Sequence, residues 1–280
     1  MKKEIFLHVG LAKTGTKFLQ LNFFPKLKGL EYIPKPLYYK SIQIIEKSKS
    51  KRFLVSQEYD QQFEREIRKW AKFDPSIKVI IVFRSQDSWF ASEYRRFVKN
   101  GFRGSIEDFI DLEHDGGYFK IKDGMYIPKI QIVEQLFENP PFVLLYDELR
   151  HDPVRFLHKL AIFMDVDFSL DSISFAPRHT SYAEKQLKVM LVLGRYFGVA
   201  IKPLNEQNRF IRFWQRLWYM LPRYFVLYSA RLFPNFLLNK EPLIPEKYLK
   251  KIKEFYQQDW KQTKEYAKKI QEYYLKTKII

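Results

Sequence analysis

The stretch Ile5–Gln20, IFLHVGLAKTGTKFLQ, decides how the rest of this chain reads. An apolar run ends at Gly10, a short loop follows, and a helix-like pattern begins at about Gly15. That is the layout of an anion cradle, because glycine lets the backbone approach a phosphate closely and a helix start offers unpaired N–H groups at the positive end of its dipole. Lys13 and Lys17 add charge, and Thr14 and Thr16 add hydroxyl donors. Gly10 and Gly15 keep the four-residue gap of a nucleotide-kinase loop, yet Thr16-Lys17 stand where Lys-Ser/Thr would follow, and Lys13 lies inside the loop. Taken alone, such a loop is also an ordinary structural turn.

Outward from it, short apolar runs alternate with helix-period segments. Strands are expected at Ile5–Val9, Phe53–Ser56, Lys78–Phe83 and Phe142–Tyr146. Helices are expected at about Gly15–Lys26, Gln61–Lys72, Asp87–Lys99, Pro128–Phe137 and Pro153–Met164, with a last one at Tyr248–Tyr274. This alternation predicts an α/β fold, a three-layer P-loop-like arrangement with a central, mostly parallel sheet flanked by helices and a helical C-terminal region. Ligands in such folds bind beyond the carboxyl ends of the strands, so the residues after each strand carry the chemistry.

After the third run comes Phe83-Arg84-Ser85, with Ser92 on the next helix. A phosphoryl-transfer enzyme wants an aspartate there to hold magnesium, whereas a guanidinium grips a phosphate directly. After the second run, Ser56-Gln57-Glu58 places a carboxylate at a strand end. Transfer to a hydroxyl needs a base, and Glu58 is the candidate, with His8, His114 and Glu113 as rivals. His8 is also readable as a satisfied buried imidazole.

The Lys-Thr-Gly-Thr run of residues 13–16, Arg84 with Ser92, and Phe142–Leu149 with its following helix together resemble sulfotransferases that use 3′-phosphoadenosine 5′-phosphosulfate (PAPS). The resemblance covers roughly residues 4–200. It implies that Lys13, Thr14, Gly15, Thr16 and Lys17 hold the 5′-phosphosulfate and that Arg84 and Ser92 hold the 3′-phosphate. It further implies a late donor contact from Arg178, a catalytic base at Glu58, and no metal. The family often has Pro where this chain has Gln86, commonly has Asn where it has Thr180, often has Ser and Glu adjacent where Gln57 intervenes, and usually has Thr or Ser where it has Lys17. The segment around Tyr146 is expected to be architectural.

Residues 205–242 depart most from such a core. Arg209, Arg212, Arg216 and Arg223 share one face of a helical wheel, and Phe210, Trp214, Leu217, Trp218 and Leu221 occupy another. Pro222 and Pro234 are expected to divide the segment into two short pieces. It either lies on an anionic membrane surface, bringing a lipid-linked acceptor to the donor, or covers the core or an acceptor groove with its arginines toward water. Arginines interrupt every window long enough to span a bilayer. The expected organisation is a catalytic core at 1–204, an aromatic and arginine-rich insertion at 205–242, and a helix at 243–280 that completes the same domain.

Lys and Arg number 49 against 32 Asp and Glu, a formal charge of +17, which favours anionic partners such as a nucleotide, an acidic glycan or an acidic membrane. No nucleic-acid-binding signature accompanies that charge. Cysteine is absent, which excludes disulfides and thiolate metal sites. The first apolar run is too short for a signal-peptide core, so a cytoplasmic location, with peripheral attachment to the inner membrane face as an extension, is the default expectation. Two rival classes stand beside sulfuryl transfer to a glycan or glycolipid hydroxyl: a P-loop nucleotide-dependent kinase, and a non-catalytic membrane-surface protein with a degenerate nucleotide site.

Overall fold

The computed structural model describes residues 2–176, 182–193, 196 and 209–276. Five strands, β1 (Glu4–Gly10), β2 (Glu31–Ile33), β3 (Arg52–Glu58), β4 (Lys78–Phe83) and β5 (Phe142–Leu145), form one sheet in the order β2-β3-β1-β4-β5. Every pair is parallel. The expected α/β fold is therefore present. The chain leaves β1 toward one side and later returns to place β4 on the other, so the loop after Gly10 emerges at the point where strand order reverses, the usual ligand crevice of such sheets.

By its contacts the chain forms two compact units, the first from Met1–Gln86, Lys122–Ala176 and Tyr256–Ile280, the second from Asp87–Ile121 and Pro177–Phe255, each over its described residues. In the first unit, Phe6, Leu54, Ile80, Val82, Phe142 and Leu144 line one face of the sheet. Phe156, Leu160, Phe163 and Met164 of the Pro153–Met164 helix pack on that face, and the Phe142 and Phe163 rings stack 4.3 Å apart. In the second unit, Trp89, Phe90, Phe109 and Phe119 form an aromatic cluster, and the amide of Gln186 on the Glu184–Leu193 helix donates to the Leu227 carbonyl at 2.8 Å.

Several expectations need correction. The helix expected over Gly15–Lys26 is an α-turn at Thr16–Phe18, a π-helical stretch at Leu19–Phe23 and a 3-10 turn at Phe24–Lys26. Pro25 has no N–H to continue an α ladder. Strand β2 has only three residues and ends at Pro34, too short a run for a period to register. Pro222 does not divide its segment, because one helix runs through it from Arg209 to Ser229. The C-terminal helix is instead broken at Tyr256, into Glu246–Phe255 and Gln257–Lys276, with no Gly or Pro to mark the place.

Candidate active site

The loop after β1 is shaped by what glycine leaves out. A Cβ on Gly10 would lie 1.9 Å from Thr16 Oγ1, so only glycine lets the helical run fold back over the strand end. Gly15 caps that run with φ 86°, and a Cβ there would meet Leu149 Cδ2 at 2.4 Å. Lys13 adopts φ 67°, a left-handed conformation that is uncommon for a residue with a Cβ and is found most often where a site requires it. Its side chain is exposed, as is that of Lys17. Thr14 and Thr16 are buried, and Thr14 Oγ1 donates to the Leu11 carbonyl at 2.6 Å. Their hydroxyls thus brace the loop from beneath. The Ala12 N–H donates to Asp60 Oδ1 at 2.8 Å, which ties the loop to the segment after β3.

Arg84, directly beyond β4, reaches this loop. Its guanidinium donates to the Lys13 carbonyl at 3.1 Å and lies over the Tyr146 ring with 4.8 Å to the centroid. Burial lowers the pKa of this guanidinium from its ordinary value, which means that its charge is partly stripped of water. An anion beside it would restore that lost stabilisation. A relay of contacts fixes its backbone: the Asp259 carboxylate accepts from the Tyr126 N–H, the Tyr126 ring stacks 4.3 Å from Phe83, and the Tyr126 hydroxyl donates to the Arg84 carbonyl at 2.7 Å. Gln86, standing where a proline is frequent, is buried and donates to Asp259 at 2.8 Å. Ser92 lies on the second turn of the Gln86–Lys99 helix, half-buried and within the second unit.

Glu58 is the last residue of β3 and the register partner of Gly10, so it stands beside the first residue of the loop. It is partly buried and accepts from Lys35 Nζ at 2.7 Å. His8 belongs to the core face of β1. Its Nδ1 is 2.8 Å from Ser56 Oγ, Gln20 Nε2 donates to the same oxygen at 3.1 Å, and the imidazole packs edge-on to Phe24. Burial pushes its pKa down to about 3, so it is neutral in the folded protein and too weak to take a proton from an acceptor. His114 and Glu113 lie in the second unit, the imidazole 3.7 Å from Asp111 and the carboxylate paired with Lys251 at 2.5 Å.

The buried imidazole has a consequence for stability. An unfolded chain protonates His8 near the ordinary histidine value of 6.5, whereas the folded protein resists protonation until about 3. The unfolded state therefore binds more protons in this window, and stability falls as pH is lowered through it. Denaturant unfolding should show a decline of about 1.4 kcal/mol per pH unit from this group, ~2 kcal/mol by pH 5. His8→Asn should flatten that slope, and an unchanged slope would assign the acid sensitivity to other groups.

The structure thus brings Lys13, Thr14, Gly15, Thr16, Lys17, Arg84 and Glu58 to the carboxyl ends of three neighbouring strands. Arg178 lies outside the described residues. Sequence reasoning missed Asp60, Lys35, Tyr126, Tyr146 and Asp259, which position the site. Only Tyr146 carried a usable signal, as the last residue of an expected strand run.

A family profile for the sulfotransferase domain matches residues 3–212. No curated protein sequence matches the chain. Among solved structures, a sulfotransferase from Alicyclobacillus acidocaldarius aligns with TM-score 0.50 and 14% identity over 73% of this chain and 98% of its own. Mouse sulfotransferase SULT7A1, complexed with PAP, aligns with TM-score 0.42 and 14% identity over 61% of each chain. The α/β sheet with its glycine-bearing loop at the strand-order switch, together with a family match over most of the chain, shows that this protein belongs to the sulfotransferase-domain family.

Proposed function

We propose that the protein moves the sulfuryl group of PAPS to an acceptor hydroxyl on a glycan or glycolipid. One observation carries this reading: a cation, Arg84, stands beyond β4 against the Lys13 carbonyl, in the place where a phosphoryl-transfer enzyme needs a metal-binding aspartate. With a lysine-bearing loop on one side and a partly dehydrated guanidinium on the other, the site has room in its charge pattern for two phosphates.

The acceptor oxygen attacks sulfur in line with the bridging oxygen of the phosphosulfate. As the new S–O bond forms the old one breaks, and negative charge grows on the 5′-phosphate of the departing nucleotide. Lys13 Nζ and the N–H groups of the Gly15–Lys17 turn stabilise that charge, with Lys17 adding a second cation. Arg84 holds the 3′-phosphate. Glu58 receives the acceptor proton while Lys35, its ion-pair partner, keeps the carboxylate aimed.

Labelled PAPS supplied with a panel of oligosaccharides and glycolipids should give sulfated products at a rate that EDTA leaves unchanged. Label transfer only from the γ-phosphate of ATP, and only with magnesium, would contradict the reading.

A further inference from the structure

The Arg209–Ser229 helix has its amphipathic character turned outward. Val226, Leu227 and Ala230 are buried within the second unit, while the opposite face, with Trp218 67% exposed, Leu221 and Tyr228, is open to solvent. Beyond the helix the same character continues through Leu232, 88% exposed, Phe236, 82% exposed, and Leu237. Among the arginines expected to face water, Arg223 lies half-buried, donating to Asn100 at 3.0 Å.

Contiguous exposed apolar surface on this scale marks an interaction site, and its charge selects the partner. Residues 207–240 hold Arg209, Arg212, Arg216, Arg223, Arg231 and Lys240 and not one Asp or Glu. A second copy docking through this face would bring together two segments that each hold six cations and no acid in their sequence, which repulsion opposes. An anionic bilayer meets both needs, since it takes Trp and Leu side chains at the headgroup boundary and attracts basic segments electrostatically. Among the described residues, no helix is long and apolar enough to cross a membrane.

We propose that the exposed face of residues 211–237 docks the second unit peripherally on an anionic lipid surface. This docking does not depend on the transfer reaction, so each is tested by its own readout. The full chain should sediment with vesicles of mixed phosphatidylglycerol and phosphatidylcholine at least about tenfold more strongly than with phosphatidylcholine alone, and high salt should weaken the binding. The variant Trp218→Ser/Leu232→Ser, with both changes on exposed positions, should lose about tenfold in vesicle affinity while retaining the far-ultraviolet circular dichroism and thermal midpoint of the parent chain. Lack of sedimentation with anionic vesicles would overturn the proposal. So would a dimer in light scattering that the double variant dissolves, which would make the face a contact between copies.

Discussion

Replacing Lys13 by alanine should lower the rate of sulfuryl transfer by roughly a thousandfold, because in the proposed mechanism the ammonium acts on charge that develops only as the S–O bond breaks. The side chain is exposed, so the loss should leave packing intact. The backbone is the complication. Lys13 sits at φ 67°, where alanine is less comfortable than asparagine. Lys13→Asn keeps the tolerance for that conformation while removing the charge, and should be as inactive as Lys13→Ala. If both variants turn over PAPS at the parental rate, the lysine has no part in the transfer. If Lys13→Asn alone is active, the loop conformation matters more than the cation.

Glu58→Gln should lower turnover by about a hundredfold to ten-thousandfold, the usual contribution of a positioned general base, while leaving donor binding unchanged. The amide keeps the size of the carboxylate but neither accepts a proton nor pairs with Lys35. Measuring turnover and nucleotide affinity on the same preparation separates the two effects. Undiminished turnover would move the base elsewhere, and His8 would not inherit the role, since it is buried, neutral and bonded to Ser56. His114 and Glu113 would then be the residues to replace.

The sheet was legible in the sequence because its long strands are buried on both faces and therefore read as unbroken apolar runs, as in Val79–Phe83. The loop after β1 was legible for a different reason, since Gly10 and Gly15 answer steric demands that no other residue meets. What failed depended on tertiary context. Whether Pro222 ends a helix is decided by the surroundings on either side of it. The site was legible only in part. Arg84 and Glu58 follow strand runs and were found by that rule, whereas Lys35, Tyr126 and Asp259 reach the site from distant parts of the chain with no local pattern.

Titration calorimetry with 3′-phosphoadenosine 5′-phosphate addresses the central claim most directly. The proposed donor site should bind that nucleotide tightly without metal, and Arg84→Ala should weaken the binding by about a hundredfold, the worth of charge-assisted hydrogen bonds to a single phosphate. Binding of ATP with magnesium in preference to the bisphosphate, or equal affinity of the parent and Arg84→Ala proteins for the bisphosphate, would contradict it.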